Sequence, residues 1–208
     1  MTELTTDEQQ AEALKAWWRE NGKSVITGVV LGIGIILGWQ GWQKYTTQRS
    51  EAASIAFQQL LVALDSDEGA VAQGERLIAE YDNTPYAIMA SMALAKVHMG
   101  QGEMDKAISR LEWARDKASQ AGIAEIARLR LAKVKLASGD ADAALAELEG
   151  EAPAGMEGAY AEVRGDAYRA KGDFAAAAEA YDQAIAALGD GNIQAGIIRI
   201  KRDELGTG

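Results

Sequence analysis

Cysteine is absent from all 208 positions, and histidine occurs once, as His98. The first absence excludes a disulfide framework, a thiolate metal centre, a lipid-modified cysteine and a cysteine nucleophile. The second leaves the serines without an imidazole-and-carboxylate constellation to activate them. His98 falls among the packing positions of a helix and is expected to be a satisfied interhelical histidine. A basic excess is missing too, since formal net charge is −10. Residues 1–49 carry five basic and five acidic side chains, so the acidic excess lies wholly beyond them. An acidic region without a basic stripe argues against nucleic-acid binding. Asp65-Ser-Asp-Glu-Gly69 has its glycine one place early for a calcium loop, and Arg76 stands where a bidentate Glu belongs. Gly100-Gln-Gly102 lacks the third glycine of a dinucleotide loop and lies between helices. No enzyme activity, cofactor or metal is expected.

What the chain does have is one long apolar run. No charge interrupts it between Lys23 and Lys44. Val25 to Trp42 would form roughly 27 Å of helix at about 1.5 Å per residue, enough to cross a hydrocarbon core. Trp39 and Trp42 stand where an interfacial aromatic belt belongs. A cleaved signal peptide would be shorter and followed by small residues; here Gln43, Lys44 and Tyr45 follow. The expected division is a tail at 1–23, a transmembrane signal-anchor at 24–43 and a water-exposed domain at 44–208. Gly28 with Gly32, and Gly34 with Gly38, form two G-x-x-x-G pairs on different helix faces. Such faces suit close helix packing in a membrane, in a homodimer or a larger complex; the alternative is that they serve neither, glycine being common in membrane helices.

Lys15, Arg19 and Lys23 precede the span, and Lys44 and Arg49 follow it. This small excess, with a short tail before an uncleaved anchor, puts the N-terminus in the cytoplasm and the domain outside it. Ala13–Trp18 is mildly amphipathic and suits a lead-in helix on the membrane surface, with a disordered tail up to about Gln10 as the alternative.

Beyond the anchor the periodicity is helical throughout. Ser50–Leu64 can continue the anchor helix, because neither proline nor glycine separates them. A helix follows over roughly Gly69–Tyr81, ending where Asn83 or Thr84 can cap the next and Pro85 can occupy its first turn. Three blocks then share one pattern. Turn glycines at 102, 139 and 172 are each followed by Asp or Glu, with Ala95, Ala132 and Gly165 before them and Ala107, Ala144 and Ala177 after. Helix–Gly-acid–helix units recurring near 34 residues are the mark of tetratricopeptide-type repeats. The small residues let the paired helices approach, and stacked neighbours bury what one pair cannot. The second block is degenerate, with Arg128 and Lys135 at apolar positions. A last helix, with Ile193, Ile197, Ile198, Ile200 and Leu205, is expected to cap the stack; an exposed binding strip is the alternative. The fold class is all-α: one N-terminal transmembrane helix and a TPR-like α-solenoid.

On the usual disposition of such repeats, the first helix of each pair lines the concave face. That row would be Met89, Met92, Lys96 and Met99 in the first block and Ile126, Leu129, Lys133 and Leu136 in the second. In the third it would be Glu162, Asp166 and Arg169. The first two rows are apolar but for one lysine each, and methionine adapts to varied partners. They are the candidate partner-binding groove, provided that Ser50–Leu64 or the last helix does not fill it.

Trp17-Trp18 in a short tail, a Gly-rich span ending in Trp39-Gln-Gly-Trp42, an Ala- and Ser-rich helix, and TPR-like blocks around Thr84-Pro85-Tyr86-Ala87 together resemble a known family. It is the YfgM-like family of ancillary subunits of the bacterial SecYEG translocon, and the resemblance covers nearly the whole chain. It implies an inner-membrane protein with a periplasmic domain, placed beside SecYEG and partnering a PpiD-like periplasmic chaperone, that helps receive newly exported proteins. It supplies no catalytic residue. The tail Asp203–Gly208 departs from the family. An envelope adaptor for cell-wall or outer-membrane assembly, without Sec contact, is the competing expectation.

Overall fold

The computed structural model describes residues 4–66, 69–189 and 191–206. Their regular elements are helices: α1 (Leu4–Ser66), α2 (Ala70–Glu80), α3 (Pro85–Gly100), α4 (Met104–Lys117), α5 (Ala121–Ala137), α6 (Ala141–Glu147), α7 (Glu157–Ala170), α8 (Phe174–Leu188) and α9 (Ile193–Glu204). The chain divides into two compact units, Met1–Glu51 and Ala52–Gly208, with the division falling inside α1.

The first unit is helical from Leu4, so Leu4–Gln10 is part of α1, and the first three residues of the expected tail lie outside the described ones. Among the described residues α1 alone is long and apolar enough to cross a membrane, and none of its apolar window is buried. This is the transmembrane helix. Its aliphatic side chains, Val29, Leu31 and Ile35 among them, are each more than half exposed. At the two ends of the apolar run hydroxyls fold back onto the helix. Thr27 Oγ1 donates to the Lys23 carbonyl at 2.8 Å and Thr46 Oγ1 to the Trp42 carbonyl at 3.1 Å. Such back-bonding leaves no hydroxyl unsatisfied where water is scarce.

In the second unit the end of α1 acts as the first packing helix. Leu60 and Ala63 are buried with Leu77 and Ile78 of α2 and Ala87, Ala90 and Leu94 of α3. Gly74 makes this contact possible, since a Cβ there would lie 2.7 Å from Leu94 Cδ2. Thr84 starts α3 by accepting from the Ala87 amide, with Pro85 in the first turn.

The three turns then repeat one geometry. At the first, the Glu103 amide donates to the His98 carbonyl at 2.8 Å and the Gly102 amide to Met99 at 3.0 Å. Asp140 to Lys135 with Gly139 to Leu136, and Asp173 to Tyr168 with Gly172 to Arg169, reproduce it at 3.0 Å. This is the Schellman closure, and it needs the left-handed φ of 77°, 92° and 77° that the three glycines adopt. Asp140 and Asp173 also cap the following helix, accepting from the Ala143 and Ala176 amides. Glu103 makes no such cap; its carboxylate turns instead to His98 and Lys106.

Close packing follows the small residues. Ala95, Ala107, Ala132, Ala144 and Ala177 are all buried. A Cβ on Gly165 would lie 2.5 Å from the ring of Tyr181, which is itself wholly buried. The core is a chain of clusters handed along the stack: α3–α4–α5, then Ala132, Leu148, Tyr160 and Val163, then α7–α8–α9. That succession is what a solenoid does.

The degenerate second pair is held by charge. Lys135 and Arg115 both reach Glu147, at 2.6 and 3.0 Å, tying α5 and α4 to the short α6. Arg128 pairs with Glu125 at 3.5 Å, and Glu125 also accepts from the Tyr160 hydroxyl of α7 at 2.5 Å.

Candidate functional site

An apolar opening in the second unit lies between α3 and α5, where a cavity of about 680 Å³ takes Met89, Met92, Lys96 and Met99 from one helix. From α5 it takes Ile123, Ile126, Arg130, Lys133 and Val134, with Leu111 of α4 also in its wall. Phe57, from the end of α1, is the remaining large apolar wall and packs at a tilt against Tyr86, with ring centroids 6.1 Å apart. The end of α1 therefore contributes a wall to the groove without filling it.

Six of the eight residues expected in this groove meet there: Met89, Met92, Lys96, Met99, Ile126 and Lys133. Leu129 and Leu136 do not. Leu129 packs on Ala132, Leu148, Tyr160 and Val163, and Leu136 on Ala141, Ala144 and Ala167. The physical reason is register. Counting from Ile126 at about 100° per residue, 129 and 136 turn toward the next helix pair while 123 and 130 turn back over the groove. Ile123 and Arg130 were legible as the i−3 and i+4 neighbours of Ile126; Phe57 was not, because it comes from a helix distant in sequence.

Floor and rim differ. Met92 is only 8% exposed and belongs to the α3–α4–α5 core, so it is a packing residue as much as a lining one. Met89 and Met99 are half-buried and Ile126 is 41% exposed. Lys96, Arg130 and Lys133 stand exposed around them. The Arg130 guanidinium lies 3.7 Å from the Met92 sulfur.

The corresponding face of α7 is closed. Glu162 accepts from Gln194 at 2.9 Å and Lys201 at 2.7 Å, and Asp166 accepts from Lys201 at 2.9 Å and from the Tyr181 hydroxyl at 2.7 Å. Arg169 reaches Glu204 at 3.9 Å. Burial works against the Lys201 ammonium, but its bonds to Glu162 and Asp166 outweigh this and hold its pKa above the usual lysine value. Burial, then the bond to Asp166, pushes the Tyr181 hydroxyl well above its ordinary range. Thus α9 caps the stack, but through its polar side together with Ala195, Ile198 and Leu205. Ile193, Ile197 and Ile200, expected in that cap, point outward.

His98 is buried, with Nδ1 2.7 Å from Glu103 Oε2 at the α3–α4 turn. Bonds from Lys106 and then His98 hold the Glu103 carboxyl below its usual range. No group of three or more His, Asp or Glu side chains is placed to hold a metal among the described residues. In the anchor, a Cβ on Gly28, Gly32, Gly34 or Gly38 would meet nothing, so both glycine faces are bare helix surface.

A transmembrane helix joined to stacked, glycine-turned helix pairs defines a membrane-anchored repeat protein of the tetratricopeptide class. The tetratricopeptide repeat-like domain family matches residues 15–207, covering anchor and stack together. The chain is 32% identical over 180 residues to a protein of Escherichia coli strain K12 named ancillary SecYEG translocon subunit, spanning 86% of this chain and 87% of that one. Relatives with the same name from Haemophilus influenzae and Aggregatibacter actinomycetemcomitans are 31% and 30% identical over 179 residues, each spanning 86% of this chain and 88% of theirs. This protein belongs to the YfgM-like family of ancillary SecYEG translocon subunits. No solved structure matches it significantly.

Proposed function

We propose that this protein is a non-catalytic companion of a Sec-type protein-conducting channel. Its anchor sits in the inner membrane beside the channel, its N-terminus lies in the cytoplasm, and residues 44–208 work in the periplasm. There the repeat domain binds a PpiD-like chaperone, newly exported chains, or both. The observation that carries this reading is the family relationship over 86% of the chain to proteins named for the SecYEG translocon. The open α3–α5 groove supports a binding role, because none of the described residues fills this apolar surface, which water would otherwise cover. The glycine pairs Gly28–Gly32 and Gly34–Gly38 provide surfaces for helix packing, against channel helices or a second copy.

Crosslinking in native membranes, read by mass spectrometry, tests it. Channel subunits together with a periplasmic chaperone are the expected products. Recovery of cell-wall or outer-membrane assembly proteins alone would replace this reading with that of an envelope adaptor. Orientation is tested separately by protease added to spheroplasts: digestion of the repeat domain is expected, and its protection beside a digested periplasmic control overturns the topology.

A further inference from the structure

We infer that the α3–α5 groove takes a segment of another polypeptide whose apolar side chains are flanked by carboxylates. This rests on the reading of the repeat domain as a protein-binding module and specifies what it binds.

The domain uses its cations unevenly. Beyond residue 49 it carries a net acidic charge, and most of its basic side chains are engaged. Arg110 meets Glu75, Arg115 and Lys135 meet Glu147, and Lys201 meets Glu162 and Asp166. Lys117 has no carboxylate partner among the described residues either, and Arg76 and Arg164 bond to backbone carbonyls, but Lys96, Arg130 and Lys133 are the ones brought together. They border one apolar cavity, no acidic residue lines it, and none of the three has a carboxylate partner among the described residues. Three positive charges placed together in an acidic domain, with no described carboxylate in ion-pair contact with them, create a local field that attracts acidic groups and turns basic ones away. Between them Met89, Met99 and Ile126 offer adaptable apolar surface, with Met92, Leu111 and Val134 beneath. Apolar anchors from a helix or extended segment would enter the cavity, while Asp or Glu beside them would meet the three cations. Each exposed pair contributes modestly, so apolar burial gives the affinity and the charges give the choice of partner.

The test uses the full chain in phosphatidylcholine nanodiscs, which carry no net charge. Two fluorescein-labelled probe peptides share leucines at i, i+4 and i+7, one with glutamates beside them and the other with lysines at the same places. Fluorescence anisotropy should show the glutamate peptide binding about tenfold more tightly, with the preference shrinking as salt rises. Lys96→Glu, Arg130→Glu and Lys133→Glu combined should reverse the preference. All three side chains are exposed, and a circular dichroism melt confirms that the fold survives. A second variant, Met99→Ser, should weaken both peptides alike. Equal affinity for the two peptides, or a preference that survives the triple variant, overturns the inference. So does displacement of the glutamate peptide by phosphatidylglycerol vesicles at equal lipid to phosphatidylcholine controls, which would assign the cations to a lipid surface. Channel crosslinks from native membranes report on the translocon reading separately: losing them leaves the peptide result standing, and the reverse also holds.

Discussion

The face of α3 and α5 and the face of α7 are built alike and end differently. Each is the inner row of a helix pair closed by the same glycine turn. Over α7 the row is acidic, and α9 brings Gln194 and Lys201 to satisfy it, so the surface becomes interior. Over α3 and α5 the row is methionine, isoleucine and three cations, and none of the described elements closes it. Repeat geometry therefore sets where a concave face lies. The side chains on it determine whether the chain closes that face itself or leaves it for something else.

The comparison is broken most severely at its closed end. Tyr181→Ala empties a fully buried site over Gly165 and should destabilise the domain by about 3–5 kcal/mol, read as a urea midpoint of the full chain in detergent. Lys201→Met leaves Glu162 and Asp166 facing one another without a cation; a loss of about 2–3 kcal/mol is expected, since the site is only partly buried. At the open end, Met92→Ala should behave like a core change of about 2–3 kcal/mol, because that side chain is floor. Ile126→Glu on the rim should cost less than about 1 kcal/mol by the same measurement, yet remove partner binding. A rim change as damaging to stability as the floor change would mean that the groove is ordinary core.

The smallest effect concerns the turn where Glu103 replaces the aspartate of the other two repeats. Its folded pKa is depressed, so its contribution is present above the ordinary carboxylate value of 4.5 and is lost as pH falls through the lower folded value. Glu103→Gln should lower the melting temperature at pH 7, with the difference closing below that window. At the alkaline end the sign is opposite. Burial, then the bond to Glu125, raises the Tyr160 hydroxyl to about 12, and Lys201 is raised too. The Tyr160 contribution is full below pH 10 and drains away as pH rises toward 12, and that of Lys201 is lost as pH climbs above its ordinary value of 10.5.

Much of this architecture was legible because it rests on local chemistry. The apolar run, the Thr84-Pro85 helix start, the three turn glycines and the small residues facing them each have one physical use, and each is used that way. Which way a helix turns its partly apolar sides was harder to read. In α5 nearly every position offers an apolar or long side chain, so Leu129 and Arg130 are distinguished only by where α7 packs. In α9 Ile198 and Leu205 pack in the cap as expected, but Ile193, Ile197 and Ile200 face outward because the helix also turns Gln194 and Lys201 to the acids of α7. Sequence spacing does not encode a partner 39 residues away, as Lys201 is from Glu162.

The most direct test of the open-versus-closed account is site-specific photo-crosslinking in native membranes, with the reactive residue placed at Met99 in the groove or at Arg169 on the closed face. Adducts to an identified Sec subunit, periplasmic chaperone or exported chain from position 99, and none from position 169, are the predicted result. Equal adducts from both positions, or adducts from 169 alone, would contradict it.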